Sequence, residues 1–243
     1  MTETAGDSFG IGRVIGRTFD AIRANLVIYL GVGLVLLALP EALASYVVAR
    51  SGMDTWASLR ISNLLSATVG LLATLILMHA AMRTLSGKTA EFGDSLAAGF
   101  RLFFPGFGIS WLTNLGVIVG LVLLIVPGII LAIWWCVALP ARIAEGEGVM
   151  AAIGRSRALT KGWRWHILGL FAIAAGAFIL LFIILGVAAY ITTGSEESPL
   201  IDIVVTPLAT MLTTFIGAAG APAIYHELIR LKGGRLETAD VFA

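Results

Sequence analysis

Residues 122–135 read VLLIVPGIILAIWW. A Pro-Gly pair stands in the middle of an apolar run that carries no polar side chain from Gly116 to Trp135. Either the chain turns back at Pro127-Gly128, or one long helix kinks there and continues. The choice decides which side of a membrane half of the protein sees. The wider stretch 104–144 is nearly uncharged. A single helix over it, at about 1.5 Å per residue, would be roughly 60 Å long, twice the ~30 Å hydrocarbon core. Pro127 has no N–H to donate and Gly128 tolerates positive φ, so the pair suits a tight reversal. Proline also kinks membrane helices without ending them, so this chemistry alone leaves both readings open.

Composition puts the run in a membrane, and charge settles its direction. The 243 residues are 58% apolar and 13% charged, with a mean hydropathy of +0.96. A soluble domain needs more charge to cover its surface; lipid removes that need. Six spans fit, at about 25–48, 61–85, 107–126, 129–144, 166–192 and 200–224. They lack period-two alternation and are rich in Leu, Ala, Gly and Ile, which predicts helices. Short loops rich in Lys and Arg stay in the cytoplasm. With a reversal at 127–128, fourteen of the 16 Lys and Arg residues are cytoplasmic and only Arg50 and Arg60 lie outside. With a mere kink the split is six inside against ten outside. The expectation is an all-α polytopic bundle, a single integral membrane domain over 1–243, with both termini cytoplasmic. The tip IVPGII offers its backbone no polar partner, so 104–144 forms two full spans or a re-entrant pair shielded by other helices. The polar N-terminus has no basic n-region, so no cleaved signal peptide is expected. Cys136 is the sole cysteine, which excludes an intrachain disulfide.

The cytoplasmic stretches before spans one, three and five share a pattern. In 8–24, helical spacing puts Ile11, Val14, Ile15, Thr18 and Ile22 opposite Arg13, Arg17, Asp20 and Arg23. In 91–103, Phe92, Leu96, Phe100 and Phe103 oppose Asp94 and Arg101. In 149–162, Val149, Ala152, Ile153, Ser156 and Leu159 oppose Arg155, Arg157 and Lys161. Each reads as an interfacial amphipathic helix leading into a hairpin of two spans. The architecture is thus three hairpins. Ser198 and Pro199 suit the start of the last span, Pro207 and Pro222 should bend it, and Gly233-Gly234 should end it.

Certain short motifs carry a resemblance. They are Pro127-Gly128, then Pro140 and Glu145 in LPARIAEG, then Arg155, Ser156, Leu159, Lys161, Gly162, Trp163 and Trp165, and finally Tyr225, Leu228 and Arg230. With these the chain resembles a group of bacterial six-span inner-membrane proteins. They are related to the membrane domain attached to some glycerophosphoryl diester phosphodiesterases, and to similar stand-alone proteins. The resemblance implies a fold and a bacterial inner-membrane address. It implies no phosphodiesterase activity, because the soluble catalytic domain of those enzymes is absent from this sequence.

Candidate chemistry is sparse. His79, His166 and His226 fall near the cytoplasmic ends of three spans, and with Glu227 they would form a metal or proton site only if they converged. No HxxxH or HExxH spacing supports that, and side chains at headgroup level are the plainer reading. Glu41 follows Pro40 near the outer end of the first span; interface placement competes with a membrane-buried proton carrier. Asn114 and the threonines at depth read as helix-packing groups, as do Gly116, Gly120, Gly217 and Ala221 with their small-xxx-small spacing. No nucleophile elbow, phosphate loop or cofactor motif occurs, so neither an enzyme nor a cofactor is expected. Arg155, Arg157, Lys161 and Arg164, with Trp163 and Trp165 at headgroup level, are the candidate contacts for anionic lipid of the cytoplasmic leaflet. Nucleic acid is not expected as a partner; a second copy or another membrane protein is left open. The reading reached is a non-enzymatic inner-membrane protein of envelope or lipid-associated organisation. The alternative is a transporter or permease subunit with a cavity lined by the proline-bent helices.

Overall fold

The computed structural model describes residues 8–51, 55–193 and 205–232. Every regular element among them is a helix. Six helical segments are long and apolar enough to cross a membrane: Leu26–Ala44, Ser66–Leu85, Phe92–Leu123, Ile125–Glu145, Arg164–Ala188 and Thr206–Leu231. Ser198, Pro199, Gly233, Gly234 and Arg235 lie outside the described residues, and the side chains of Arg50 and Arg60 do too.

The chain opens with α1 (Ile11–Ala24). Its apolar face buries Val14, Thr18 and Ala21. Asn25 ends it: Nδ2 donates to the Ala21 carbonyl at 2.8 Å and to Thr84 Oγ1 at 2.7 Å. That amide closes α1 and ties its end to the end of the second span.

The first span comprises α2 (Leu26–Val32), a π-helical segment (Gly33–Ala38) and α3 (Leu39–Ser51). Pro40 accounts for the widened turn. It cannot donate to the Leu36 carbonyl, and its ring would press on that carbonyl in an α-helix. The i→i−5 register, seen where the Leu39 N–H meets the Leu34 carbonyl, accommodates it. Gly33 gives close packing: a Cβ there would lie 2.5 Å from Phe215 Cζ. One turn earlier Tyr29 meets the same Phe215 ring edge-on at 5.2 Å and donates to the Leu77 carbonyl at 3.2 Å.

Two helices form the centre, α4 (Thr55–Leu85) and α10 (Thr206–Leu231). Half of each one's apolar window is buried, against 11% for α9 (Arg164–Thr193). The first span packs on one side of this pair, through Ile28, Tyr29, Leu77, Met211 and Phe215. On the other side Val14, Leu75, Met82, Leu102, Val137, Leu159, Tyr225 and Leu228 make the larger core. The side chain of α1 that fronts α10 belongs to this second core, so α1 is docked on protein and does not merely lie on lipid.

The reversal occurs, but not at the Pro-Gly pair. Helix α5 (Phe92–Leu123) ends at Leu124, whose φ of −162° and ψ of 144° are extended, and α6 (Ile125–Trp135) begins at once. Pro127 falls at the third position of α6, where an N–H has no intrahelical partner to lose. Gly128 serves close approach. A Cβ there would stand 2.7 Å from the Leu121 backbone nitrogen, and one on Gly120 would stand 2.9 Å from Gly128 Cα. Gly116 admits the Trp135 ring, which would lie 2.5 Å from a Cβ. Gly116 and Gly120 therefore pack one hairpin, while Gly217 is exposed and a Cβ on it would meet nothing.

Residues 91–103, expected as a separate interfacial helix, run on without a break through Pro105 as the start of α5. Their buried face is Ser95, Ala98, Gly99 and Leu102, with Gly106 and Ile109 continuing it. Small residues are chosen there because α4 is close: a Cβ on Gly99 would sit 2.4 Å from Ile76 Cγ1. Phe92, Phe100 and Phe104 point outward instead. The fourth span is broken, α6 giving way at Cys136-Val137 to α7 (Ala138–Glu145). Gly146, at φ +69°, closes α7, and α8 (Val149–Thr160) follows with Ala152, Ser156 and Leu159 buried as its spacing predicts. Helix α9 packs on α6 and α1.

Candidate functional site

Helix direction and cross-helix contacts bring one set of chain segments to one end of the bundle: 8–24, 83–101, 142–164 and 227–232. Among their described residues thirteen Lys and Arg stand against six Asp and Glu. Two of the carboxylates organise this basic end.

Glu227 is fully buried near the end of α10. Arg13 donates to Oε1 through Nε at 3.0 Å and Nη2 at 2.8 Å. Arg17 donates to Oε2 at 2.9 Å, and Arg230, one turn along α10, donates to Oε1 at 2.8 Å. The Gly10 N–H, at the start of α1, also donates to Oε1 at 3.1 Å. A carboxylate taken out of water is tolerated only with such compensation. Here it anchors α1 to α10. The three guanidiniums keep 34–48% of their side-chain surface exposed, so the cluster shows its positive side outward.

Glu145, at the end of α7, is the second centre. Arg155 of α8 reaches both of its oxygens through Nε at 2.9 Å, and the Tyr225 hydroxyl of α10 donates to Oε1 at 2.7 Å. The bond to Glu145 holds the Arg155 guanidinium above its ordinary pKa. Lys232 closes the group by donating to the Ala158 carbonyl. Desolvation, with Lys161 and Arg155 nearby, pushes its ammonium below the usual lysine value. Ser156 serves the break in the fourth span: it accepts from the Val137 N–H at 3.2 Å and donates to the Trp134 carbonyl at 2.8 Å.

The candidate lipid contacts thus divide. Arg155 is bonded to Glu145. Arg157 and Arg164 lie over the Trp134 ring, 4.3 and 4.5 Å from its centroid. Trp163 packs inward against Phe9 and His166 at 6.3 and 5.4 Å between centroids. Lys161 is exposed, and Trp165 is 82% exposed. The histidines occupy three separate surroundings. His79 is buried with Nδ1 3.4 Å from Ser95 Oγ. His226 is buried with Nε2 unpartnered among the described residues. His166 is exposed beside Trp163. Glu227 pairs with arginines and not with them, and no group of three or more His, Cys, Asp or Glu suited to a metal ion occurs among the described residues. Asn114 donates to the Ser110 carbonyl of its own helix at 2.8 Å.

Sequence reasoning missed both ionic centres. Their members come from segments up to 217 positions apart, and no local spacing links them. One signal was present: Glu227 stands in a helix end otherwise provided with Arg230 and Lys232, where an acidic residue asks for a reason.

At the opposite end two clefts flank α10. One, of about 230 Å³, is lined by Leu36, Pro40, Glu41, Ser66, Thr74, Thr210 and Thr214 among others. The other, of about 450 Å³, lies between α9 and α10 and is lined by Phe182, Thr206, Thr210, Thr213 and Thr214 among others. Pro40 lines the first; Pro127 and Pro222 line neither.

No curated protein and no solved structure matches the chain. Residues 104–216, from within α5 to within α10, match the family model described as the membrane domain of glycerophosphoryl diester phosphodiesterase. Six helices among the described residues are long and apolar enough to cross a membrane; the protein is an integral, multi-pass membrane protein and is similar, over that stretch, to that membrane domain.

Proposed function

We propose that the protein is a non-enzymatic component of the bacterial inner membrane, with both termini in the cytoplasm, whose basic end organises anionic lipid of the inner leaflet. The observation that carries this reading is the gathering of thirteen cationic against six acidic side chains at one end of the bundle. Lipid anions are the nearest partner for such a surface, at about 1 kcal/mol for each basic residue near it. Arg157, Lys161 and Arg164 are the contacts, with exposed Trp165 at headgroup depth; Arg155 serves the fold through Glu145. Native mass spectrometry of the purified protein tests this. The wild type should retain anionic lipid, and the triple variant Arg157→Gln, Lys161→Gln, Arg164→Gln should lose it while keeping its helical content. Equal lipid on both would remove these residues from the account.

A transporter or permease subunit is the second reading, favoured by the two clefts that meet at Thr210 and Thr214. A cysteine placed at Thr214 discriminates. Labelling by a membrane-impermeant maleimide from both sides of reconstituted vesicles supports transport; labelling from one side only, or from neither, supports the first reading.

A further inference from the structure

The two ends of the bundle treat their carboxylates differently. Glu227 is met by three guanidiniums and a backbone N–H. Glu41, in the first turn of α3, makes no ion pair among the described residues, and its one hydrogen bond among them is a long one accepted from Thr210 Oγ1 at 3.4 Å. It stands within the apolar window Leu26–Ala44, where an unpaired charge is costly. Hydroxyl-bearing residues share its cleft with apolar ones such as Leu37, Ala67 and Val69. Thr210 and Thr214 come from α10, Ser66 and Thr74 from α4. The Thr74 hydroxyl spends its proton on the Gly70 carbonyl at 2.7 Å, so its remaining lone pairs can only accept or coordinate. Hydroxyls gathered beside one carboxylate at membrane depth suit a hard cation.

We propose that the cleft at Glu41 binds one monovalent cation, either an alkali ion or the ammonium of an aminolipid headgroup. The charge count decides the valence: a single carboxylate neutralises a single positive charge, whereas divalent ions favour several carboxylates. The ligand set decides the class, because oxygen without nitrogen or sulfur suits hard cations and ammonium donors and not transition metals. The volume of about 230 Å³ leaves room for an alkali ion with part of its hydration, or for a small ammonium group, at ~30 Å³ per water. The site stands whether or not the protein transports anything, since a cation that neutralises Glu41 would also hold the first span against α4 and α10.

The test is the thermal-unfolding midpoint of the full chain in detergent, titrated with sodium, potassium or ethanolammonium chloride. N-methyl-D-glucamine chloride keeps ionic strength constant. The expected result is a saturable rise with at least one of the three cations, lost in Glu41→Gln and retained in Asp20→Asn at the other end of the bundle. A rise with sodium or potassium alone identifies a free ion, and a rise with ethanolammonium alone identifies a headgroup ammonium. Should Glu41→Gln fail to fold, the double variant Thr210→Val, Thr214→Val carries the test through an apparent dissociation constant raised at least tenfold. Identical midpoints in all four salts, an unchanged response in Glu41→Gln, or an unchanged constant in the threonine variant would overturn the proposal.

Discussion

Glu227 shows how much one buried side chain can decide. Its carboxylate is wholly enclosed while each arginine that serves it is partly exposed. Removing the anion strands three cations, whereas removing one cation leaves two. Glu227→Gln should therefore destabilise the protein by about 2–3 kcal/mol, and Arg13→Ala by about 1 kcal/mol or less, given its exposure. Unfolding in mixed micelles measures both. Equal losses would mean that the cluster is not organised around the carboxylate. Ser156 makes a sharper local case. Without its hydroxyl the Val137 N–H and the Trp134 carbonyl are left at the break in the fourth span, so Ser156→Ala should cost about 1–3 kcal/mol. A neutral Ser156→Ala would show that water replaces the hydroxyl there. Neither residue's role was legible in the sequence. Helical spacing puts Ser156 on the apolar face of 149–162, but its partners are 19 and 22 positions away.

At the scale of elements, the sequence served where a period or a charge count applied. The faces of α1 and α8 follow from residues three and four apart, and Val14 and Thr18 of the first and Ala152, Ser156 and Leu159 of the second are buried on them. The start of α5 defeated the same reasoning. Its aromatic stripe, Phe92 and Phe100, faces outward, and its core face is built from Ser95, Ala98 and Gly99. In a membrane bundle small residues make the contact and large ones meet lipid, so hydrophobicity points the wrong way. The reversal in 104–144 was legible from length and charge, but its position was not. Leu124 carries no turn signal, and Pro127-Gly128 does other work. This yields a contrast between neighbours. Pro127→Ala should change stability by less than about 1 kcal/mol, because the position lacks an intrahelical donor requirement. Gly128→Ala should cost about 1–3 kcal/mol or more, because its Cβ meets backbone that cannot rotate away. The reverse order would place the turn at the Pro-Gly pair after all.

The whole molecule is a central pair, α4 and α10, with the first span on one side and the α1, α5, α7, α8 group on the other. This makes sense of the short motifs scattered through the last 120 or so residues of the chain. Glu145, Arg155 and Tyr225 are one hydrogen-bonded group, Leu159 and Leu228 share its core, and Arg230 joins the Glu227 cluster. They lock the basic end. In the proposed topology this end faces the cytoplasm and the chain reverses between α5 and α6. Reporter fusions along the chain test it most directly. Fusions after residues 88, 147 and 243 should report from the cytoplasm, and those after residues 55 and 196 from outside. An external signal from the fusion after residue 147 would contradict the reversal and, with it, the single basic face.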